Sequence, residues 1–521
     1  MGKDMLLYYQ TKIKKEYRFA FWFTFLFTLF VHLYKFVNTL PNHDSVYNYY
    51  SDQNVLGSGR WALSIACGFS SYYDLPWVIG ILSCVFIALT VVVITALFKL
   101  KNPVLIALSG ALLASSPSTT ETFFFLFTAD GYMIAMFLAA LTAYWSRIEE
   151  KRTSRFILSG ICICVSCGIY QAYVSFALVL SLCYFMIALL ENNHTKKEYT
   201  AWIWRQVVLY PIFLLLYYMI WKLCLHITGT AASNYQGISQ IGTINLGIVL
   251  SGFIRSIKSV LLYFLQFNIL EHGLPLYSFL NIVFLVAAVI GLIIACAKSR
   301  IFQRRWALIL LLLCLAAIIP SACIWHFTSN TVGYRAMMLQ SLTLLFISTA
   351  LLYEKWASLR FKNTICLFLI LISLHNGLMA NIAYFHMQQC YERTYAEGIE
   401  MMIDIHDMQN SYRFDKVAFI GTRIFDVQYE SFGHQDNRVT SVGTIHILSS
   451  LLEETLLFDS EHTALFLKGT MGLDLDVVSS ETLLELSNLD CVRELDCWPA
   501  SSSMIVIDDV LVIKLSDNIL N

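Results

Sequence analysis

The sequence predicts an all-α polytopic membrane protein. About eleven helices span the bilayer, one more lies in its outer interface, and a small C-terminal α/β domain follows on the non-cytoplasmic side. Three observations carry that prediction. Of 521 residues, 57% are apolar and only 14% charged, with a mean hydropathy of +0.63, a composition foreign to soluble chains of this length. The apolar residues come in runs long enough to cross hydrocarbon. Lys and Arg gather in short blocks between alternate runs. A net charge of -1 leaves no basic field for nucleic acid, so charge here reports topology.

Residues 1–18 read as a cytoplasmic N-terminus, because Lys12, Lys14, Lys15 and Arg18 precede an apolar run from Phe19 to Val37. That run is too long for a signal-peptide core, and no small-residue cleavage site follows it before Pro41, so it reads as an uncleaved first helix. The membrane domain extends over 19–384. Further runs lie at Trp77–Phe98, Val104–Ser115, Phe123–Trp145, Phe156–Tyr170, Ala172–Leu190 and Val207–Ile227, then Tyr277–Ala297, Ala307–Trp325, Met337–Tyr353 and Thr364–Tyr384. The blocks Lys99/Lys101, Arg147–Arg155, Lys196–Arg205, Lys298–Arg305 and Lys355–Lys362 then all fall on the cytoplasmic side, as the positive-inside rule requires. This holds only if Ile248–Leu270, which carries Arg255 and Lys258 one turn apart, lies in the outer interface. Counted as a twelfth span, it would place the block at Lys298 outside.

After Tyr384 the composition becomes that of a soluble α/β domain, 385–521. It has a helical stretch at Glu392–Met408 and strand-like runs at Lys416–Ile420 and Ala464–Leu467. Met504–Ile507 and Val510–Leu515 read as a hairpin closed by Asp508 and Asp509. Of fourteen cysteines, most fall within or beside the runs as small apolar fillers. Cys162, Cys164 and Cys167 do not share a helical face, so no metal site is expected there. Cys491 and Cys497 lie in the external domain, where a disulfide and two free thiols both remain open.

Function is sought where polar residues gather on the external side. The first external loop, 38–76, holds His43, Asp44, Asp52, Arg60 and Trp61 among several tyrosines. Asp44 stands just beyond the first span, a place that suits a base acting on a lipid-borne substrate. The other reading is a helix N-cap after the Pro41 turn.

Several short motifs then carry a resemblance by their order: Pro41-Asn42-His43-Asp44, Gly57-Ser58-Gly59-Arg60-Trp61, Ser116-Pro117 with Glu121, Ala129-Asp130-Gly131-Tyr132, Ile169-Tyr170-Gln171 and Gly333-Tyr334-Arg335-Ala336. Together they resemble the GtrII-type bacterial glucosyltransferases, multi-span enzymes of the GT-C class. The resemblance implies transfer of a hexose, usually glucose, from a polyprenyl-phosphate sugar to a cell-envelope glycan such as an O-antigen or a teichoic acid. It places the reaction on the outer face of the bacterial cytoplasmic membrane, with inversion of the anomeric carbon and no cofactor or metal. In that class the first external loop supplies an acidic base, and the matching position is Asp44. Its neighbour is His43 rather than a second carboxylate, so whether Asp44 acts alone or with Asp52 or Asp130 stays open.

Phosphate is a good leaving group, so one carboxylate and one or two cations suffice. Arg60 and Arg335 stand where a lipid headgroup would lie, and an Arg fork matches phosphate. Snorkelling to the interface is the alternative for both. Lys222, Arg255 and Lys258 are further cations for the same role. Asp130 is expected about two turns inside the fourth span, as a functional group or as half of an ion pair with Arg335 or Lys222. Glu121 is placed at the membrane edge, where solvation is also open to it. Tyr170, Gln171 and Trp325 suit sugar binding, although aromatic belts are ordinary at this level. A lipid-linked sugar transporter or flippase is the rival reading, but its repeated halves with broken helices are not visible.

Overall fold

A computed structural model describes residues 12–233, 246–265, 276–423, 456–457 and 459–517. Contacts divide the chain into two units. Among the described residues, the first comprises residues up to Phe36 and 52–381, and the second joins residues 37–51 to 382–423, 456–457 and 459–517.

The helices of the first unit are α1 (Lys15–Val37), α2 (Pro76–Leu97), α3 (Pro103–Ser115), α4 (Ala129–Trp145), α5 (Thr153–Ile169) and α6 (Tyr173–Glu191). They continue with α7 (Lys196–Thr228), α8 (Leu246–Phe264), α9 (Leu276–Lys298), α10 (Arg305–Ala322), α11 (Thr343–Trp356) and the long α12 (Leu359–Ser411), which runs on into the second unit. Local chemistry sets many of their ends. Proline opens α2 and α3 and the short helix Pro117–Phe124, where the missing N–H would have no partner anyway. Asn102 caps α3 and Ser116 caps the short helix, and Thr195 with Glu198 forms a capping box at α7, each satisfying orphan N–H groups.

Each of the eleven apolar runs falls on a helix. Among the described residues, ten helices are long and apolar enough to cross a membrane, while Pro103–Ser115 and Thr153–Ile169 are shorter. The stretch with Arg255 and Lys258 is one of the ten. Its outward face exposes Leu250, Ile254, Ile257 and Leu261, with Lys258 exposed among them.

The span Ala336–Trp356 is 94% buried and Tyr173–Glu191 89%, whereas Lys196–Thr228, Leu276–Lys298 and Arg305–Ala322 are each 28% buried. The first two therefore form the centre of the bundle. The other three turn apolar surface outward, where lipid is as favourable a neighbour as protein.

In the second unit the strands β1 (Lys416–Ile420), β2 (Met504–Ile507) and β3 (Val510–Lys514) form one sheet in the order β1-β3-β2. β1 pairs parallel with β3, and β2 pairs antiparallel with β3. Asp508 and Asp509, at φ of 46° and 62°, make the two-residue turn between β2 and β3, since two positive φ values match the twist of a tight hairpin. Both sheet faces are covered. Val417, Phe419, Leu511 and Ile513 pack on one side with Met401, Phe466, Leu467 and Trp498, and Ala418, Ile420 and Val512 pack on the other with Leu486 and Val492. Val46 belongs to the first of these cores, which ties the segment after α1 into this unit.

One expectation is corrected here. Ala464–Leu467 is not a strand but part of α13 (Ser460–Met471), which Asp459 caps and Gly472 ends with a left-handed residue; caps at both ends outweigh a short apolar run. The stretch Glu392–Met408 is helical, as expected, and is part of α12. Cys491 and Cys497 are both free thiols. A cavity of about 690 Å³ within this unit is lined by Ile420 and Gly421 at the end of β1, and by residues at the starts of α13 and of α14 (Ser480–Ser487).

Candidate active site

In the first unit the loop before α2 is bolted down by hydrogen bonds from distant helices. The 3-10 helix Leu56–Ser58 ends at Gly59, whose φ is +82°, a conformation open to glycine at little cost. A Cβ there would stand 2.5 Å from the Tyr217 hydroxyl and 2.7 Å from Gln171 Nε2. Those two groups hold the turn. Gln171 donates to the Ser58 carbonyl at 2.7 Å, Tyr217 donates to the Gly59 carbonyl at 3.0 Å, and Trp221 Nε1 donates to the Leu56 carbonyl at 2.8 Å.

This turn delivers Arg60. Its guanidinium lies 4.9 Å from the centre of the Tyr170 ring and donates to the Tyr132 hydroxyl at 2.9 Å. Tyr132 and Tyr170 stack with centroids 4.2 Å apart and planes 7° from parallel. The arginine is half-buried and set on a rigid aromatic platform, which reduces the rotamer entropy it would lose on meeting an anion. Trp325 Nε1 donates to the Gln171 carbonyl at 3.1 Å, and the Tyr334 hydroxyl accepts the Trp325 backbone N–H at 2.9 Å. Arg60, Tyr170, Gln171 and Trp325 are thus brought together. Arg335 follows Tyr334 directly, and its guanidinium lies 5.3 Å from the Phe125 ring centre. Lys222 is exposed on α7, over the rings of Tyr218 and Trp221 at 5.5 and 5.0 Å.

Other candidates take different places. Arg255 donates to the backbone carbonyls of Ser329 and His326 and to Asn330 Oδ1 at 2.8, 2.5 and 3.0 Å, so its terminal nitrogens clamp the loop after α10. Lys258 is exposed. Glu121 is not solvated: it is fully buried, and its carboxylate accepts the Met337 N–H at 2.5 Å. Asp130 is not two turns deep in its helix but in the first turn of α4, where a carboxylate meets the positive end of the helix dipole. It is fully buried, its Oδ1 accepts the Gly131 N–H at 2.8 Å, and among the described residues it forms no ion pair with Arg335 or Lys222. The adjacent Cys67 thiol is pushed up by burial first and then by the Asp130 charge. Asp52 is exposed and accepts the Asn54 N–H at 3.0 Å, a local turn contact.

Asp44 belongs to the second unit, in the first turn of the 3-10 helix His43–Tyr47. The N-cap of that helix is Asn42, whose side chain accepts the Ser45 N–H at 2.9 Å. The capping reading therefore passes to Asn42, and the Asp44 carboxylate is left 46% exposed, 3.2 Å from His43 Nε2.

Sequence reasoning passed over Tyr132, Tyr217 and Tyr334, which position the named residues. Tyr132 and Tyr334 sit inside the quoted motifs, and that adjacency is the signal that would have found them. It also passed over Lys35, which is 2% exposed in the last turn of α1. Its partner in charge is Asp74, whose carboxyl is pushed up to about 6 by burial, against the pull of Lys35.

A family model described as glucosyl transferase GtrII matches residues 33–352, more than half of the chain and all of the site residues named in the first unit. No curated protein matches the chain.

Proposed function

We propose, from the premise that this chain belongs to the glucosyl transferase GtrII family and is a glucosyltransferase, that it moves glucose from a polyprenyl-phosphate donor to a cell-envelope glycan on the outer face of the bacterial cytoplasmic membrane. Asp44 takes the proton of the acceptor hydroxyl. The acceptor oxygen bonds to the anomeric carbon as the bond from that carbon to the phosphate oxygen breaks, and the electron pair leaves with the phosphate. One displacement from the far face inverts the anomeric carbon. Arg60 and Arg335 meet the phosphate charge, while Tyr170, Gln171 and Trp325 line the sugar. The single observation that carries this reading is Arg60 held on the Tyr132–Tyr170 stack. Asp44 is preferred to Asp52 and Asp130 because it combines partial exposure with an imidazole neighbour. Asp130 is buried on a backbone N–H, and Asp52 is engaged in its own turn.

The topology is part of the proposal: residues 1–18 inside, the membrane domain over 19–384, and 385–521 outside. Val46, just after α1, packs in one core with Phe466 and Ile513, which supports a C-terminal domain on the same side as the end of α1. That sidedness needs an odd number of crossings, which supports eleven spans with α8 in the interface rather than twelve. A reporter fused after Asn521 is expected to behave as external, and one near Arg152 or Arg304 as cytoplasmic. The cavity at the carboxyl end of β1 supports a role for this domain in holding the acceptor.

The test is incubation of membranes with radiolabelled polyprenyl-phosphate glucose. Asp44→Asn keeps the shape but cannot accept a proton, and should lose transfer by about 10²- to 10⁴-fold while still binding donor. Normal turnover in that variant would remove Asp44 from the mechanism and turn attention to Asp52 and Asp130.

A further inference from the structure

The short helix that carries Asp44 is seated on α13 at two points, both within the second unit. Near the start of α13, the Tyr47 ring meets the His462 ring edge-on, with centroids 4.6 Å apart and planes at 89°, and the Tyr47 hydroxyl lies 3.4 Å from His462 Nδ1. Near its end, Gly469 leaves room for Tyr49, since a Cβ there would stand 2.6 Å from the Tyr49 ring. Between them Val46 enters the core beside Phe466 and Leu467.

His462 is itself held in place. It is 8% exposed, its Nδ1 lies 2.8 Å from Asp459 Oδ1, and the same oxygen accepts the His462 backbone N–H at 2.8 Å. Burial works to raise the Asp459 pKa, but the His462 ring and backbone N–H outweigh it and hold the carboxyl below its ordinary value. On the facing helix, His43 Nε2 lies 3.2 Å from Asp44 Oδ1, and the His43 and His462 rings are 5.9 Å apart. Two carboxylate–imidazole pairs therefore stand back to back with Tyr47 between them. Among the described residues, the charged and titratable groups facing one another are Asp44, His43 and Tyr47 from one element and Asp459, Glu461 and His462 from the other. The Tyr47 phenol is pushed up by burial and then by the charges of Asp459, Glu461 and Asp44.

We propose that His462, oriented by Asp459, is a positioning residue for the Asp44 carboxylate, acting through Tyr47 and His43. The inference rests on the reading of Asp44 as the base. A base works only within about 2.6–3.2 Å of the proton it takes, and a 1 Å misplacement costs roughly 100-fold. An exposed carboxylate on a single 3-10 turn cannot hold that tolerance alone. The α13 seat supplies the rigidity, and Asp459 fixes which His462 nitrogen carries the proton.

The test uses full-length protein in membranes with radiolabelled polyprenyl-phosphate glucose, comparing Asp459→Asn, His462→Phe and Asp44→Asn. Asparagine keeps the α13 cap, and phenylalanine keeps the ring edge against Tyr47 while losing both nitrogens. Each of the two α13 variants is expected to lower kcat by about 10- to 100-fold, with the donor KM and the amount of protein in the membrane unchanged. Asp459→Asn, which removes a negative charge from the cluster, is also expected to move the acid limb of the pH–rate profile to lower pH. Wild-type kcat and pH profile in Asp459→Asn and His462→Phe would overturn the inference, as would a loss of protein with turnover per molecule intact. If that happens while Asp44→Asn is inactive, only the positioning role falls. If Asp44→Asn is active, the base assignment itself has failed.

Discussion

At one end of the bundle Lys99 pairs with Glu149 at 2.8 Å, Lys151 with Glu198 at 3.1 Å and Lys355 with Glu191. These pairs join the loops after α2 and α4 to the ends of α6, α7 and α11, and two of the lysines are largely solvent-facing, 71% exposed for Lys99 and 72% for Lys151. The other end of the same helices looks different. α6 begins beside Tyr170 and Gln171 and ends at Glu191, so it reaches from one region to the other over about 28 Å at 1.5 Å per residue. Where it begins, the cation Arg60 meets ring faces and a phenol. The contrast teaches what each end is for. Carboxylate partners neutralise the basic end, which topology requires but chemistry does not use. At the aromatic end a ring face and a phenol hold the Arg60 guanidinium in place, a setting that suits the phosphate of the proposed donor.

The largest expected effect comes from removing that charge. Arg60→Ala should lower glucose transfer by about 100- to 1,000-fold without lowering the amount of protein in the membrane, and Lys should rescue only partly, because it lacks the planar fork. Undiminished transfer by Arg60→Ala, measured with labelled donor, would break the comparison. Arg335→Ala should act in the same direction. Next comes the turn that carries Arg60. Gly59→Ala forces an L-residue into the left-handed region, costing roughly 1–2 kcal/mol, and drives a methyl against Tyr217 and Gln171. Faster thermal inactivation in detergent, together with lost transfer, is the expected result.

The ion-paired end should respond to acid instead. Burial works to raise the Glu149 pKa, but hydrogen bonds from Lys99 and Tyr184 outweigh it and hold the carboxyl from 4.5 down to about 2. A carboxylate with a lowered folded-state pKa adds stability above its unfolded value and loses it as pH falls through the folded one. Unfolding midpoints should therefore decline between about pH 4.5 and 2 in wild type, and less so in Glu149→Gln. The smallest effect is expected from Lys151→Ala. An exposed pair contributes about 0–1 kcal/mol, so transfer should stay normal and stability should barely move. A large loss of activity from Lys151→Ala would show that the two ends are not separate in function.

Much of this was legible in the chain before any contact was known. Apolar runs marked the helices because hydrocarbon thickness sets a length that composition alone reveals. The basic blocks marked one end of the bundle, and those blocks do meet one another through ion pairs. The Asp508–Asp509 turn was visible because a two-residue hairpin is a local decision. The motifs around Arg60, Tyr170 and Arg335 pointed to the site, but their chemistry did not say which residues would be presented and which absorbed. Glu121 reads from sequence like a solvated edge residue, yet a backbone N–H from Met337 takes its carboxylate into the interior. Arg255 reads like a free cation, yet the loop after α10 occupies it.

By itself, then, the sequence determined the solvent, the helices, the end that carries positive charge and the family of enzyme, all of which depend on composition and on residues close together in the chain. Only the tertiary structure decided that Tyr132 and Tyr170 would stack beneath Arg60. It also decided that Asn42 rather than Asp44 would cap its helix, and that Tyr47 would find His462, 415 residues away. The physical reason is the same in each case. Periodicity and capping report the nearest turn of chain, whereas which buried polar group meets which partner depends on how distant elements pack, and the cost of leaving such a group unpaired falls due only once the interior has closed.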